Sequence, residues 1–196
     1  MNSIDEIKNY LKENLSSERY FHTLGVMEEA VELAKRYNID IKKAEIAGLL
    51  HDNAKCMTKE DLRKFIDSHL PDMDKNELKN YKTLHAPVGA YFAKEKFKIS
   101  DPEIISAIRW HTLGRVNMTT LEKIVFLADK IEKNTRDIEY RNQIIKILDE
   151  NKGELGLNMA LFRCFVETVK SLAERRLYIC KTTIDVYNWL LESIEK

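Results

Sequence analysis

Helix-breaking residues are scarce along this chain, and that scarcity constrains its fold more than any other feature. Only three prolines and six glycines interrupt 196 residues. Between them, apolar residues recur at spacings of three and four, the period of an amphipathic helix and not the alternation of a half-buried strand. Start signals punctuate the pattern. Ser3 with Glu6, Thr58 with Asp61, Asp74 with Glu77 and Thr119 with Glu122 read as capping boxes, which satisfy the free N–H groups of a first helical turn. Asp101-Pro102 supplies a cap and a first-turn proline, and Pro87 suits a first turn just after His85. The expected fold class is all-α. Helices are expected over about 3–14, 17–37, 40–53, 59–68, 75–82, 86–97, 102–111, 120–134, 139–150, 156–178 and 180–194.

Hydrophobic residues make up 44% of the chain and charged ones 33%, enough apolar material at this length to bury a core. Thirty-two basic residues balance thirty-two acidic ones, so the charge excess of a nucleic-acid polymer binder is missing. Cys56, Cys164 and Cys180 are odd in number and far apart, which favours free thiols over a disulfide framework or a thiolate zinc site. No signal sequence or membrane span is visible, and the expected location is cytoplasmic. With no repeat or linker, one domain is expected over 1–196: a core over about 17–135 and a helical C-terminal extension over about 139–196. A homodimer is compatible with such a chain, although no patch in the sequence selects one.

The chemistry sits in polar residues at apolar places. His51-Asp52 ends a helix carrying Ala44, Ile46, Ala47, Leu49 and Leu50. An ionised carboxylate there is costly to bury unless something pairs with it. A metal is one such partner, and an ordinary helix-end hydrogen bond is another. Asp129 follows Ile124-Val125-Phe126-Leu127-Ala128 and will tend to protonate unless a cation, metal or arginine, holds it ionised. Glu132, one turn on, is either a supporting or a surface group. His22, His85 and His111 each lie near a helix end, and each taken alone is more often a core residue than a ligand. His69, beside Leu70-Pro71-Asp72 in an expected loop, is left aside. Together, four imidazoles and two carboxylates form a donor set that suits iron, manganese, zinc or nickel without thiolates. Six donors exceed what one catalytic ion takes while leaving room for water. Two ions sharing a carboxylate use them fully, as in sites that clamp both sides of an in-line phosphoryl displacement.

The order His22, His51-Asp52, His85, His111, Asp129 resembles the HD-domain superfamily of metal-dependent phosphohydrolases. More closely it resembles the YqeK-type bacterial branch, the symmetrical diadenosine tetraphosphate hydrolases. The resemblance rests on Ala47-Gly48-Leu49-Leu50-His51-Asp52-Asn53-Ala54-Lys55, on His85-Ala86-Pro87-Val88-Gly89-Ala90 and on Ala107-Ile108-Arg109-Trp110-His111-Thr112-Leu113-Gly114-Arg115. It continues through Leu121–Ile124, Ala128–Glu132, Thr182-Thr183 and Asn188. One departure stands out: Lys133-Asn134-Thr135-Arg136-Asp137 has no proline where the family often carries a proline and an arginine.

The resemblance implies an HD-domain helical bundle with additional C-terminal helices, and two divalent ions, iron being the metal the family suggests. His22, His51 and Asp129 would hold one ion, His85 and His111 the other, with Asp52 bridging. Asp52 and Lys55 would carry catalysis. Arg19, Lys55, Thr112, Arg115 and Arg136 would bind the phosphates of a dinucleoside polyphosphate or related nucleotide, and Tyr81, Tyr91 or Phe92 would stack on its bases. The implied reaction splits diadenosine tetraphosphate into two ADP. Another HD-type nucleotide phosphohydrolase or phosphodiesterase, a di-iron oxygenase and a non-catalytic nucleotide sensor are the alternatives.

Overall fold

The computed structural model describes residues 3–195, which form ten α-helices and no strand. They are α1 (Ile4–Asn14), α2 (Ser17–Arg36), α3 (Ile41–Leu50), α4 (Lys59–His69), α5 (His85–Glu95), α6 (Pro102–Trp110), α7 (Thr120–Ile131), α8 (Ile138–Glu150), α9 (Gly153–Glu174) and α10 (Lys181–Ile194). Reciprocal capping boxes open α1 at Ser3/Glu6 and α7 at Thr119/Glu122. At α4 the Thr58 hydroxyl accepts from the Asp61 N–H, but Asp61 turns its carboxylate to that same hydroxyl, so only half of the box forms. Asp101 caps α6 with Pro102 in its first turn.

The expected helix over 75–82 does not form. Two 3₁₀ turns, Glu77–Lys79 and Tyr81–Thr83, stand in its place. Asp74 and Asn80 each accept a backbone N–H two residues on, which competes with helical bonding. Glu77, needed for a capping box, instead gives its carboxylate to Arg109 at 2.6 Å. The helix expected to reach 134 ends at Ile131, because Glu132 adopts an extended ψ of 152° and its carboxylate collects the N–H groups of Asn134 and Thr135. His69 is the last residue of α4, where a loop was expected, and its ring stacks on Phe65 at 4.2 Å.

Packing follows from small residues at the crossings. α3 lies against α2 at Gly48, where an added Cβ would stand 3.0 Å from the Met27 Cα and 3.1 Å from the Val26 carbonyl oxygen. α3, α6 and α7 pack on one another and α2 on α7, so four helices surround one apolar core that includes Val26, Leu49, Ile108 and Val125. The C-terminal helices join that core. Phe165 of α9 stacks on Phe126 of α7 at 5.0 Å, and Val186 and Leu190 of α10 are fully buried. Gly114, at φ +66°, makes the turn beneath Phe165 that only a glycine enters without strain. A smaller cluster of Ala54, Leu62, Ile66, Leu84 and Val88 seats α4 on α5. None of the described helices is long and apolar enough to cross a membrane.

Candidate metal centre

The four central helices and α5 each deliver a polar residue to one point. α2 presents His22 from its second turn, and α3 ends at His51 with Asp52 beyond it. α5 begins with His85, α6 is capped by His111, and α7 carries Asp129 in its last turn. All six are buried. His22 Nε2 lies 3.1 Å from Asp129 Oδ1 and 3.4 Å from His51 Nε2. His85 Nε2 lies 3.1 Å from His111 Nε2 and 3.0 Å from Asp52 Oδ1. Asp52 stands between the two pairs. Its Oδ2 faces His51 at 3.6 Å and His22 at 3.9 Å, while its Oδ1 faces His85 and, at 3.5 Å, His111. All six residues singled out from the sequence therefore meet, and two triads, His22/His51/Asp129 and His51/Asp52/His111, have the spacing of metal donors.

The far side of each ring decides what the near side can do. His51 Nδ1 donates to the Gly48 carbonyl at 2.7 Å and His111 Nδ1 to that of Ile108 at 2.7 Å. His22 Nδ1 meets the Glu132 carboxylate at 3.1 Å. Carbonyl and carboxylate oxygens only accept, so the proton sits on Nδ1 and leaves a lone pair on Nε2. Three such lone pairs converge with two carboxylates, and without a cation they repel. The donor set therefore fits a divalent metal, with the outer hydrogen bonds that fix ligating histidines already in place.

Glu132 is the strongest of these supports. It is fully buried and accepts from the Thr135 hydroxyl and N–H as well as from His22. Gly25, one turn after His22, leaves the space it fills: a Cβ there would come within 2.3 Å of Glu132 Oε2. The sequence placed Glu132 on the Asp129 face without choosing between a supporting and a surface role. Lys130 was not singled out at all, and its Nζ lies 2.7 Å from Asp129 Oδ2.

Cations ring the centre. Arg19 Nη1 is 2.9 Å from Asp52 Oδ2, and Arg136 Nη2 is 2.7 Å from Asp129 Oδ1, so the arginine partner weighed for Asp129 is present beside the histidines. Lys55 Nζ sits 3.2 Å and 3.3 Å from the two His85 nitrogens. Arg115 goes elsewhere, its Nε donating to the buried Glu122 at 2.9 Å. Thr112 Oγ1 is buried with no hydrogen-bond partner among the described residues.

Burial pushes His51 down to about 3 and His85 to about 4. Burial raises Asp52 and Asp129, but His51 and the neighbouring rings outweigh it for Asp52, and Lys130, His22 and Arg136 outweigh it for Asp129, so both stay well below the usual carboxylate range. The two histidines bind protons in the unfolded chain near pH 6.5 and not in the folded one, so their contribution is complete above that pH and is lost as pH falls toward 4. The carboxylates, ionised in both states above about pH 5, do not oppose the trend. Metal-free protein is thus expected to lose on the order of 2 kcal/mol for each of these two rings by about pH 5, several degrees in Tm. Thermal melts in chelator across that range test this, and a flat Tm would contradict it.

Residues 19–134 match the family model described as HD domain. The symmetrical bis(5'-nucleosyl)-tetraphosphatase of Bacillus subtilis (strain 168) is 39% identical over 92% of this chain and 94% of its own length. The enzyme of the same name from Halalkalibacterium halodurans is 40% identical over 92% and 93%. A crystal structure from Clostridium acetobutylicum, described as a predicted HD superfamily hydrolase involved in NAD metabolism, superposes with a TM-score of 0.91 at 37% identity, covering 98% of this chain and 99% of that one. Divalent metal binding belongs to such a fold, and the donor set described above is suited to it. This chain belongs to the HD-domain family and, within it, to the family of the symmetrical bis(5'-nucleosyl)-tetraphosphatases.

Proposed function

We propose that the chain is a dinuclear metal-dependent phosphohydrolase that cleaves diadenosine tetraphosphate symmetrically into two ADP. The observation that carries the two-ion reading is the position of Asp52, with one oxygen toward the His22/His51 pair and the other toward the His85/His111 pair. His22, His51 and Asp129 would hold one ion and His85 and His111 the other, with Asp52 placed to serve both. Iron is the metal we assign, on the family resemblance and on a nitrogen and oxygen donor set that manganese, zinc and nickel also suit. When bound, the ions supply a water activated near neutral pH and neutralise charge on the phosphoryl oxygens.

The chain's own side chains do the rest. Arg19, Lys130 and Arg136 each neutralise a ligand carboxylate while keeping 35%, 29% and 35% of the side chain exposed. Each therefore presents further N–H groups to a polyphosphate, the arginines in the forked geometry that matches phosphate oxygens. Lys55, beside His85, offers donors to the oxygens that gain charge as the nucleoside diphosphate departs. Thr112, with its free hydroxyl next to His111, adds a neutral donor. We place the enzyme in the cytoplasm and read 1–196 as one domain, because the extension over about 139–196 shares the apolar core of the metal-bearing part.

Metal-loaded protein incubated with diadenosine tetraphosphate is expected to release ADP alone, as read by chromatography. AMP and ATP in equal amounts would overturn symmetric cleavage. Turnover of other nucleotides but not this one would move the chain to another HD-type phosphohydrolase, substrate-dependent oxygen uptake would make it an oxygenase, and binding without turnover a sensor.

A further inference from the structure

A cleft of about 280 Å³ opens beside His85, lined by Lys55, Met57, Lys59, Leu62, Tyr81 and Lys82 together with His85 itself. Three lysines line it and no carboxylate does. Its floor is apolar, from Met57 and Leu62, and the buried Leu62 anchors α4 below it. Tyr81 stands at its edge with 46% of its surface exposed, and Lys59 Nζ lies 5.5 Å from the ring centroid. The 3₁₀ turn over Tyr81–Thr83 is what projects Tyr81 and Lys82 here, directly before His85.

The other two aromatics considered for base stacking are placed differently. Phe92 is packed edge-on against Phe65 between the two apolar clusters. Tyr91 lines a separate cavity with His69, Asp72, Lys94 and Arg109, which includes none of the six central donors. Only Tyr81 shares a space with a metal-centre histidine and with cations.

Resting on the hydrolase reading above, we propose that this cleft is the subsite for the nucleoside diphosphate half on the His85 side of the scissile bond. The base stacks on Tyr81, and Lys59 and Lys82 hold the phosphates that reach it past Lys55. Arg19, Lys130 and Arg136 stand beside Asp52 and Asp129 and hold those carboxylates directly. Excess positive charge and an aromatic face recognise a nucleoside diphosphate. An apolar ligand would not need the lysines, and a bare phosphate would not need the ring.

Tyr81→Ala, Lys82→Ala and Tyr91→Ala are compared with the unchanged protein in two measurements. Calorimetric binding of ADP to metal-free protein reads the subsite without turnover, and kcat and KM for diadenosine tetraphosphate read it in the reaction. Stacking on one aromatic ring is worth about a tenfold change in affinity by alanine substitution, so Tyr81→Ala is expected to weaken ADP binding and raise KM by about that factor. Lys82→Ala is expected to do the same with a reduced salt dependence, and Tyr91→Ala to change neither. Loss of ADP binding in Tyr91→Ala instead, or unchanged binding and KM in Tyr81→Ala, would overturn the subsite. Failure of the unchanged protein to cleave the dinucleotide at all would overturn the hydrolase reading, while ADP binding sensitive to Tyr81 would still uphold the cleft as a nucleotide site.

Discussion

Asp52→Ala is expected to reduce turnover of diadenosine tetraphosphate by at least about a thousandfold, since charge stabilisation of several kcal/mol is removed from the point where the two proposed ions would meet. The loss should come without unfolding. Asp52 lies beyond the end of α3, and its backbone carbonyl, which accepts from the Lys55 N–H at 2.9 Å, is unaffected by the change. Circular dichroism should therefore show the helices intact, while elemental analysis shows metal content below that of the unchanged protein. Full activity in Asp52→Ala would sink the bridging assignment. Full metal content with lost activity would keep Asp52 in catalysis but remove it from the ligand set.

Glu132→Gln is expected to act on metal affinity and not on the chemical step. Gln retains the shape that fills the space left by Gly25, but the buried negative charge behind His22 Nδ1 is gone. Outer partners of metal-bound histidines typically matter by about 10–100-fold in affinity or activity, and the same range is expected for the apparent Kd of the metal here. Titration with the metal, followed by activity, separates the effects: saturating metal should restore kcat in Glu132→Gln and fail to do so in Asp52→Ala. A Glu132→Gln protein with unchanged metal affinity would show that Glu132 serves the α7 turn through Asn134 and Thr135 alone.

Much of this site was legible in the sequence because its candidate ligands violate local expectation. A charged or imidazole group at the end of an apolar helix needs a partner, and His51, Asp52, His111 and Asp129 all sit in such places. What was not legible depends on partners far away in the chain. Glu77 looked like the third residue of a capping box, yet its carboxylate belongs to Arg109, 32 residues on, and with it goes the helix expected over 75–82. Glu132 is decided by His22, 110 residues away. Arg115 was expected at the phosphates from its closeness to His111, and its guanidinium lies on Glu122 instead. Local spacing identifies which groups are out of place. It does not say which distant group receives them.

The hydrogen bonds from His51 and His111 to main-chain carbonyls one turn back have a consequence for how the protein acquires its metal. Those rings are aimed by the helices themselves, so their orientation is set once the chain has folded and does not wait for an ion. Little ordering is left for the ion to bring about, in contrast to small zinc modules that fold only around theirs. Exchange of one divalent ion for another is then a local event at a standing socket.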